Sequence, residues 1–325
     1  MIDATTLVST TSTGQPVAMR EAWGQGLVDL AHQYFDLLVL DGDLANSTRA
    51  DIFAAAYPDR FLEMGIAEQN MIGVAAGLAT VGYVPWISTF AAFLAKRALD
   101  QIRVVVAQPG LNVKLCGSYS GILTSKTGKT HQAVQDLAVF RSMPGVVTIA
   151  PADAVELRGA MAAMMEMTEP VYLRLTRDPS PTIFPPDHHF QIGRAVLLRG
   201  GRDIGLIGTG VQTVRVLEAA ELLRAEGVDA AVLHLPTLKP LDLGAIVQVA
   251  AQTGAIVTAE DHSVLGGLGS AVAETLAEHR PTPMRRIGWR DTYGESGPND
   301  ALLEKYGLTP GHIAAAAREL LQALR

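Results

Sequence analysis

Glu68 is the residue whose surroundings most favour a chemical role. It follows the strand-like run FLEMG (61–65) and precedes a run of small residues that is compatible with a helix. A helix amino terminus stabilises a nearby carboxylate through its partial positive charge. Because many ordinary helices carry a solvated glutamate in the first turn, this position alone does not make Glu68 catalytic.

Two phenylalanines and a histidine follow Glu68 in the chain. Phe90 and Phe93 lie three residues apart in STFAAF, where a strand is expected to give way to a helix. Such pairs usually belong to the hydrophobic core. His131 lies in GKTHQAVQD, directly before a predicted helix, and a histidine can orient hydroxyl groups or transfer a proton.

Three further residues could bind an anionic substrate. Arg20 opens the first predicted helix, Ser47 lies in GDLANS, and Arg177 ends YLRLTR. Arginine suits this task because its planar fork can hold an oxyanion through two hydrogen bonds. Each residue alone is equally compatible with a surface salt bridge. Asp41 and Asp43, in LDGDLAN, are typical turn formers, and no metal ligand is predicted.

These residues lie on a chain in which short apolar runs alternate with helical patterns. The alternation predicts an α/β fold of two three-layer α/β domains with mostly parallel sheets. Predicted helices include 19–32, 69–79, 90–101, 132–141, 154–165, 213–226 and 243–253, and predicted strands include 36–41, 84–88, 112–117, 146–149, 171–175, 204–208, 230–235, 255–259 and 284–289.

A proline-rich segment divides the chain. Residues 178–189 (DPSPTIFPPDHH) contain four prolines and no periodic pattern, which favours an interdomain linker. We therefore predict one domain over residues 15–184 and a second over residues 190–325. The glycine-rich stretches 208–210 and 266–269 lack the spacing of a nucleotide fingerprint and are predicted to be tight turns at helix starts.

The composition limits the possible partners and location. The 325 residues are 48% hydrophobic and 18% charged, with a net charge of −7, which disfavours nucleic acid as a partner. The single cysteine, Cys116, suits a cytoplasmic protein. No apolar run is long enough to cross a membrane, no signal peptide is recognisable, and the slightly positive mean hydropathy favours an oligomer.

Several strings together resemble the transketolase family. GIAEQN followed by MIGVAAGLA, then STFAAF, GKTHQ, IAPADAVE and EDHSVLGGLGSAVAE occur in the family's order. The resemblance implies a thiamine diphosphate pyrimidine-binding domain followed by a transketolase C-terminal domain. It also implies that Glu68 is a buried acid that hydrogen-bonds to N1′ of the cofactor's aminopyrimidine and so promotes proton removal from the thiazolium ring.

The resemblance assigns a role to each candidate residue. Phe90 and Phe93 match the aromatic residues that stack on the aminopyrimidine, although Lys96 replaces a third family aromatic. Asp43 matches an aspartate that lines the cofactor pocket. His131 matches a histidine that contacts the sugar near its reacting carbons. By the same matches, Arg20, Ser47 and Arg177 would hold the terminal anion of the substrate.

The segment between Gly117 and Thr130 departs from the family pattern. Tyr119 stands where transketolases typically carry a histidine, and Thr127 stands in place of an aspartate. Because these family residues bind the substrate, the replacements indicate an altered substrate entrance. Lys126 and Lys129 could hold a differently placed phosphate, or a sulfonate, as point charges.

The resemblance also implies a partner subunit. A transketolase needs an amino-terminal domain that binds Mg²⁺ and diphosphate, and no GDG motif of that domain occurs here. We therefore expect an α2β2 heterotetramer with an N-terminal transketolase subunit, transferring a two-carbon ketol unit between sugar phosphates or other anionic sugars. A sulfo-sugar or branched sugar phosphate transketolase, the beta subunit of a 2-oxoacid dehydrogenase, and a non-catalytic relic subunit are the alternatives.

Overall fold

A computed structural model describes residues 16–325 and, of Ser125, only the backbone. Two larger β-sheets, each covered by helices, form two three-layer α/β units, which confirms the predicted fold class. The strands are β1 (Val17–Ala18), β2 (Leu37–Asp41), β3 (Phe61–Glu63), β4 (Val84–Phe90), β5 (Lys114–Ser118), β6 (Val147–Ile149), β7 (Val171–Arg174), β8 (Pro179–Ser180), β9 (Val196–Arg199), β10 (Ile204–Gly208), β11 (Ala230–His234), β12 (Thr237–Lys239), β13 (Ile256–Ser263) and β14 (Met284–Trp289).

Helices of widely different length connect these strands. After Ala98 the chain forms a single α-helical turn, which continues directly as a π-helix over Ile102–Ala107. The helices are α1 (Met19–Ala31), α2 (Ala45–Thr48), α3 (Ala50–Ala56), α4 (Glu68–Thr80), α5 (Ala91–Leu94), α6 (Leu99–Gln101), α7 (Asp136–Ser142), α8 (Ala154–Met165), α9 (Gln212–Ala225), α10 (Leu243–Thr253), α11 (Leu268–His279), α12 (Asn299–Lys305) and α13 (Pro310–Ala323). None of the described helices is long and apolar enough to span a bilayer.

The first sheet has the strand order β12-β6-β7-β5-β4-β2-β3, and the second has the order β14-β13-β10-β11-β9. Within each sheet the pairs are parallel except for one antiparallel edge strand, β12 in the first and β9 in the second. The central strands β2, β4 and β5 are buried along their whole length because helices cover both faces. Their carboxyl ends meet at one edge of the sheet, where Phe90 ends β4.

Strand β12 belongs by sequence to the second half of the chain but pairs with β6 of the first sheet. Thr237 lies opposite Ile149, and the pairing is antiparallel. The sequence pattern does not predict this strand, because three residues are too few to show a period. The second half of the chain therefore completes the first sheet, while the domain limits at residues 184 and 190 stay a prediction.

Two predicted helices are wrong in their bounds. The helix expected over 90–101 is broken after Leu94, because the Ala98 N–H bonds to the Phe93 carbonyl in a turn wider than an α-helical one. The helix expected over 132–141 begins only at Asp136. The preceding residues cannot be helical, since Ala133 accepts a hydrogen bond from Gly121 and so joins the loop after β5.

Helix α8, by contrast, has the predicted bounds because its start is fixed by a capping residue. The Asp153 carboxylate accepts hydrogen bonds from the Val155 and Glu156 N–H groups. Its other oxygen accepts bonds from the N–H groups of Ile183 and Phe184 in the linker, at 2.7 and 2.9 Å. One buried carboxylate thus fixes both the helix and the path of the linker.

We expect Asp153→Ala to lower the free energy of unfolding by about 2–4 kcal/mol, because it removes a cap and leaves buried linker N–H groups without partners. Urea denaturation followed by circular dichroism measures this change. The control is Asp100→Ala, whose exposed salt bridge with Arg103 should contribute less than about 1 kcal/mol. Equal losses in both variants would contradict the assigned role.

Candidate active site

Glu68 is the first residue of α4, and its side chain is fully buried. Gly65 turns the chain between β3 and α4 with a φ of +67°, a conformation that glycine adopts without strain. The carboxylate is held by Arg97, whose Nη1 lies 2.7 and 2.6 Å from the two carboxylate oxygens. The structure therefore excludes the ordinary alternative of a solvated glutamate.

Arg97 belongs to this site although no motif in the sequence marks it. Its guanidinium lies 4.4 Å from the centre of the Phe93 ring and also bonds to Glu68. A planar group with N–H donors is thus bound by one carboxylate and one aromatic face. No pattern in the sequence could have identified Arg97, because its position depends on the wide turn that interrupts the helix after Leu94.

The predicted aromatic residues do come together. The Phe90 and Phe93 ring centres are 5.7 Å apart, and His131 meets both rings edge-on at 5.7 and 5.5 Å. Tyr119 stacks on Phe90 at 4.1 Å. His131 Nδ1 is hydrogen-bonded to the Thr130 hydroxyl at 2.8 Å, which fixes the orientation of its ring. We call Phe90, Phe93, Tyr119 and His131 the aromatic group.

The predicted anion-binding residues also come together, around Tyr119. Arg20 Nη1 donates to the Ser47 carbonyl at 2.9 Å and to the Tyr119 hydroxyl at 3.2 Å. Arg177 Nε donates to the same hydroxyl at 3.1 Å, and its Nη1 donates to Asp178 at 2.7 Å. The hydrogen bond to Tyr119, together with the charge of Asp178, raises the pKa of Arg177, so this side chain is a fixed cation.

Four residues that the sequence singles out are not hydrogen-bonded to the aromatic group or to Arg20 and Arg177. Lys126 and Lys129 are exposed and make no hydrogen bond or salt bridge to the described residues. Asp43 is exposed as well. Its backbone N–H donates to Glu63, and its carboxylate accepts no hydrogen bond from residues 16–325. Thr127 hydrogen-bonds to Thr124 within its own turn. Their roles in a site stay predictions.

Of the two aspartates Asp41 and Asp43, only Asp41, at the end of β2, is buried. It accepts hydrogen bonds from the Ser88 hydroxyl at 2.5 Å, the Leu44 N–H at 2.6 Å and the Thr48 hydroxyl at 3.3 Å. Burial raises the pKa of Asp41 to about 6, although these hydrogen bonds oppose the shift. This network links the carboxyl ends of β2 and β4 to α2, and so positions Ser47 beside Arg20.

The geometry defines a site with two ends. One end has a buried carboxylate that Arg97 links to the ring of Phe93, and a carboxylate and an aromatic face can together bind a planar nitrogen heterocycle. The other end has two guanidinium groups, Arg20 and Arg177, which can bind an oxyanion. The stacked rings of Phe90 and Tyr119 connect the two ends. Among the described residues, no group of three or more His, Cys, Asp or Glu side chains is placed to hold a metal ion.

The fold and the site define an α/β protein of two three-layer units with a candidate site for a planar heterocycle and an oxyanion, and comparison with known proteins identifies the family. Residues 15–181 match the family model of the transketolase pyrimidine binding domain, and residues 193–313 match that of the transketolase C-terminal domain. The chain belongs to the transketolase family. The resemblance inferred from the sequence motifs is confirmed.

Relatives that match nearly the whole of this chain include proteins named as transketolase subunits. The chain is 42% identical to the 6-deoxy-6-sulfo-D-fructose transketolase subunit of Clostridium sp. (strain MSTE9), over 94% of each protein. It is 35% identical to a subunit of the apulose-4-phosphate transketolase of Phocaeicola vulgatus, over 94% of this chain and 98% of that protein. A solved structure described as a split gene transketolase, inactive beta4 tetramer, is 47% identical, with a TM-score of 0.89 over 95% of this chain and 100% of that chain.

The raised pKa of Asp41 predicts a pH dependence of stability. A carboxyl whose pKa is higher in the folded state stabilises the protein while it is protonated, and this contribution is lost as pH rises through the folded pKa. Between about pH 4 and about pH 7, the wild type should therefore lose about 1–3 kcal/mol of unfolding free energy relative to Asp41→Asn.

Urea titrations of both proteins at intervals of pH measure this difference. Asp43→Asn is the matched control, because its side chain is exposed and should show no such relative change. A constant difference between Asp41→Asn and the wild type across this range would contradict the prediction.

Proposed function

We propose that this chain is the pyrimidine-binding subunit of a heteromeric transketolase. In this proposal it transfers a two-carbon ketol unit between sugar phosphates, or similar anionic sugars, together with an N-terminal subunit. The observation that carries the proposal is the fully buried Glu68 carboxylate at the start of α4, which Arg97 links to the aromatic ring of Phe93. Membership of the transketolase family supports the assignment.

The residues around Glu68 fit the aminopyrimidine of thiamine diphosphate. Glu68 and Phe93 bind the guanidinium of Arg97 through a hydrogen-bonded carboxylate and an aromatic face, the two contacts that an aminopyrimidine also requires. Thiamine diphosphate, when bound, supplies the carbon nucleophile that accepts the two-carbon unit. In our proposal Glu68 hydrogen-bonds to the pyrimidine ring, and Arg97 gives up part of its contact with Glu68.

The remaining residues of this chain would act on the sugar. His131, fixed by Thr130 at the edge of both phenylalanine rings, is placed to orient donor hydroxyls and to move a proton at the reacting carbons. Phe90 and Phe93 would stack with the cofactor ring and exclude water from it. Arg20 and Arg177 would hold the terminal oxyanion, and Asp43, Ser47, Lys126 and Lys129 remain candidate contacts of the cofactor pocket and the substrate entrance.

The sugar itself could differ from the ordinary pentose phosphates. The printed names of two relatives specify a sulfonated sugar and a branched sugar phosphate, and both proteins are subunits. The replacement of a family histidine by Tyr119 supports a non-standard sugar for this chain as well. We therefore keep a sulfo-sugar or branched sugar phosphate as the second candidate substrate.

The diphosphate and Mg²⁺ are assigned to the partner in this proposal. The two matching family models describe the pyrimidine-binding and C-terminal domains, and the solved split transketolase chain described above is called inactive as a beta4 tetramer. We propose an α2β2 complex in the cytoplasm, a location that the single buried cysteine, Cys116, supports. The beta chain of a 2-oxoacid dehydrogenase is disfavoured, because the relatives named above are transketolases.

Glu68→Gln in the reconstituted complex should lower kcat for ketol transfer by at least about 100-fold. The reason is that an amide, unlike a carboxyl group, cannot exchange a proton with the pyrimidine ring. Steady-state assays with a fixed donor and varied acceptor measure this loss. Glu278→Gln, on the exposed face of α11, is the control and should retain normal turnover. Near-normal turnover of Glu68→Gln would show that the cofactor assignment is wrong.

The isolated chain should not bind thiamine diphosphate with Mg²⁺ tightly, because it lacks the contacts to the diphosphate that the proposal assigns to the partner. Calorimetry on this chain alone, on the partner alone and on the complex tests the division. Tight binding is expected only in the complex. A submicromolar dissociation constant for this chain alone would overturn the split arrangement.

A further inference from the structure

The loop after β5 runs from residue 119 to residue 133, and we call it the entrance loop. Tyr119 lies at its start and His131 near its end, so the loop carries two of the four residues of the aromatic group. The Gly121 N–H donates to the Ala133 carbonyl at 2.7 Å and so joins the two ends of the loop. The position of both aromatic side chains therefore depends on what holds this loop in place.

Asp261 belongs to β13 in the second sheet, and its buried carboxylate contacts the start of the entrance loop. The Ile122 N–H donates to this carboxylate, whose two oxygens lie 3.0 and 3.3 Å from the nitrogen. Gly121 permits the close approach, because a Cβ atom at this position would lie 1.9 Å from Asp261 Oδ2. Gly121 also has a φ of +70°, which glycine adopts without strain. The loop and the carboxylate are therefore matched in shape as well as in hydrogen bonding.

The unit built on the second sheet, which we call the second unit, also holds the other end of the entrance loop. The Ser263 N–H donates to the Val134 carbonyl at 2.8 Å, directly after the loop. The buried side chain of Gln132 donates to the Glu295 carbonyl at 3.0 Å. Gly294 leaves room for this side chain, because a Cβ atom there would lie 1.8 Å from Gln132 Oε1. The second unit thus holds the loop at both ends.

The candidate site, by contrast, takes its side chains from the first half of the chain. Glu68, Arg97, the aromatic group, Arg20 and Arg177 all precede residue 178. Asp261 nevertheless places a carboxylate in the protein interior, which is costly without hydrogen bonds. Its side chain accepts the Ile122 N–H and no other hydrogen bond from residues 16–325. The hydrogen bonding of this buried carboxylate is therefore directed at the entrance loop.

We propose that the second unit holds the entrance loop in the position that the reaction requires, and that Asp261 is the positioning residue through which it does so. The proposal rests on the proposed transketolase function. Without the Ile122 contact the start of the loop is free to move, and the bond between Gly121 and Ala133 transmits this movement to the segment that carries His131. The second unit contributes to ketol transfer by fixing a loop rather than by contacting the substrate.

Limited digestion of the folded full chain with trypsin tests the position of the loop without any activity assay. Lys126 and Lys129 are exposed on the loop, and a protease cuts such a segment when it opens locally. Asp261→Ala should accelerate cleavage after these two lysines at least about tenfold, because the hydrogen bond to Ile122 is lost. Asp261→Asn keeps an acceptor oxygen and should be cut within about threefold of the wild-type rate. Mass spectrometry locates and times each cut.

Ketol transfer by the reconstituted complex tests whether the reaction needs this position. Asp261→Ala should lower kcat at least about tenfold, because a small displacement of a reacting group is costly even when the substitution lies far from the chemistry. Asp261→Asn should restore kcat to within about threefold of the wild type, because the acceptor oxygen is kept.

The matched control is Asp153→Ala. Asp153 is also a buried carboxylate that accepts backbone N–H groups, but it holds the linker at Ile183 instead of the entrance loop. At a temperature at which this variant stays folded, it should show the wild-type rate of cleavage after Lys126 and Lys129 and the wild-type kcat. If Asp261→Ala does not fold, Gln132→Met removes the donor to Glu295 and should accelerate the same cleavage at least about threefold.

Three outcomes overturn the proposal. One is a wild-type rate of cleavage in the entrance loop of folded Asp261→Ala, or of Gln132→Met where it replaces that variant. Another is faster cleavage with an unchanged kcat, which would show that the reaction does not need the loop to be held. The third is an equal defect in Asp261→Asn and Asp261→Ala, which would assign the effect to the buried charge. If the wild-type complex transfers no ketol unit, the proposed function fails, and the digestion still decides whether Asp261 holds the loop.

Discussion

The site depends on the buried ion pair between Arg174 and Asp136. Arg174 is the last residue of β7, and its guanidinium donates hydrogen bonds to the Asp136 carboxylate at 2.8 Å and to the backbone carbonyl of Asp261 in the second sheet at 2.6 Å. Burial alone would raise the pKa of Asp136, but the charges of Arg174 and His262, together with hydrogen bonds from Arg174 and Tyr172, outweigh this effect and hold the pKa below its usual range. Removing one partner would leave a buried charge uncompensated, which is strongly destabilising. Since Asp136 follows the loop that carries His131, the ion pair fixes this loop, which we propose to be part of the active site, between the two sheets.

The predictable parts of the fold are those whose ends are marked in the sequence. Helix α10 has the predicted bounds because Asp242 caps its first turn and Gly254 ends it with a φ of +71°. The turns predicted at Gly210 and Gly266 are likewise confirmed by positive φ values before α9 and α11. Strand β12 and the wide turn after Phe93 escape prediction, because each is defined by a hydrogen bond to a distant or unexpected partner rather than by local composition.

The residues of the candidate site likewise fall into two sets, those that the sequence identifies and those that only the structure reveals. Residue types and order suffice to select Glu68, Phe90, Phe93 and His131, because the motif that contains them is specific. The roles of Arg97 and Tyr119 depend on side-chain geometry, which no one-dimensional pattern records. For Tyr119 the sequence shows only that a family histidine is replaced, and the structure shows which groups the replacement contacts. For Asp41 and Asp43 the sequence offers two equivalent carboxylates, and only burial distinguishes them.

The pairing of β12 with β6 restricts how this protein can be rearranged. A hybrid enzyme made by exchanging everything after the proline-rich segment would replace residues 237–239 along with the rest of the second half. The recipient would then receive a foreign edge strand against Ile149, next to the segment that leads into α8 and its capping aspartate. The two halves of this chain are therefore not interchangeable modules. A hybrid of two family members should take residues 237–239 from the same parent as the first half, so that β12 and β6 remain a native pair.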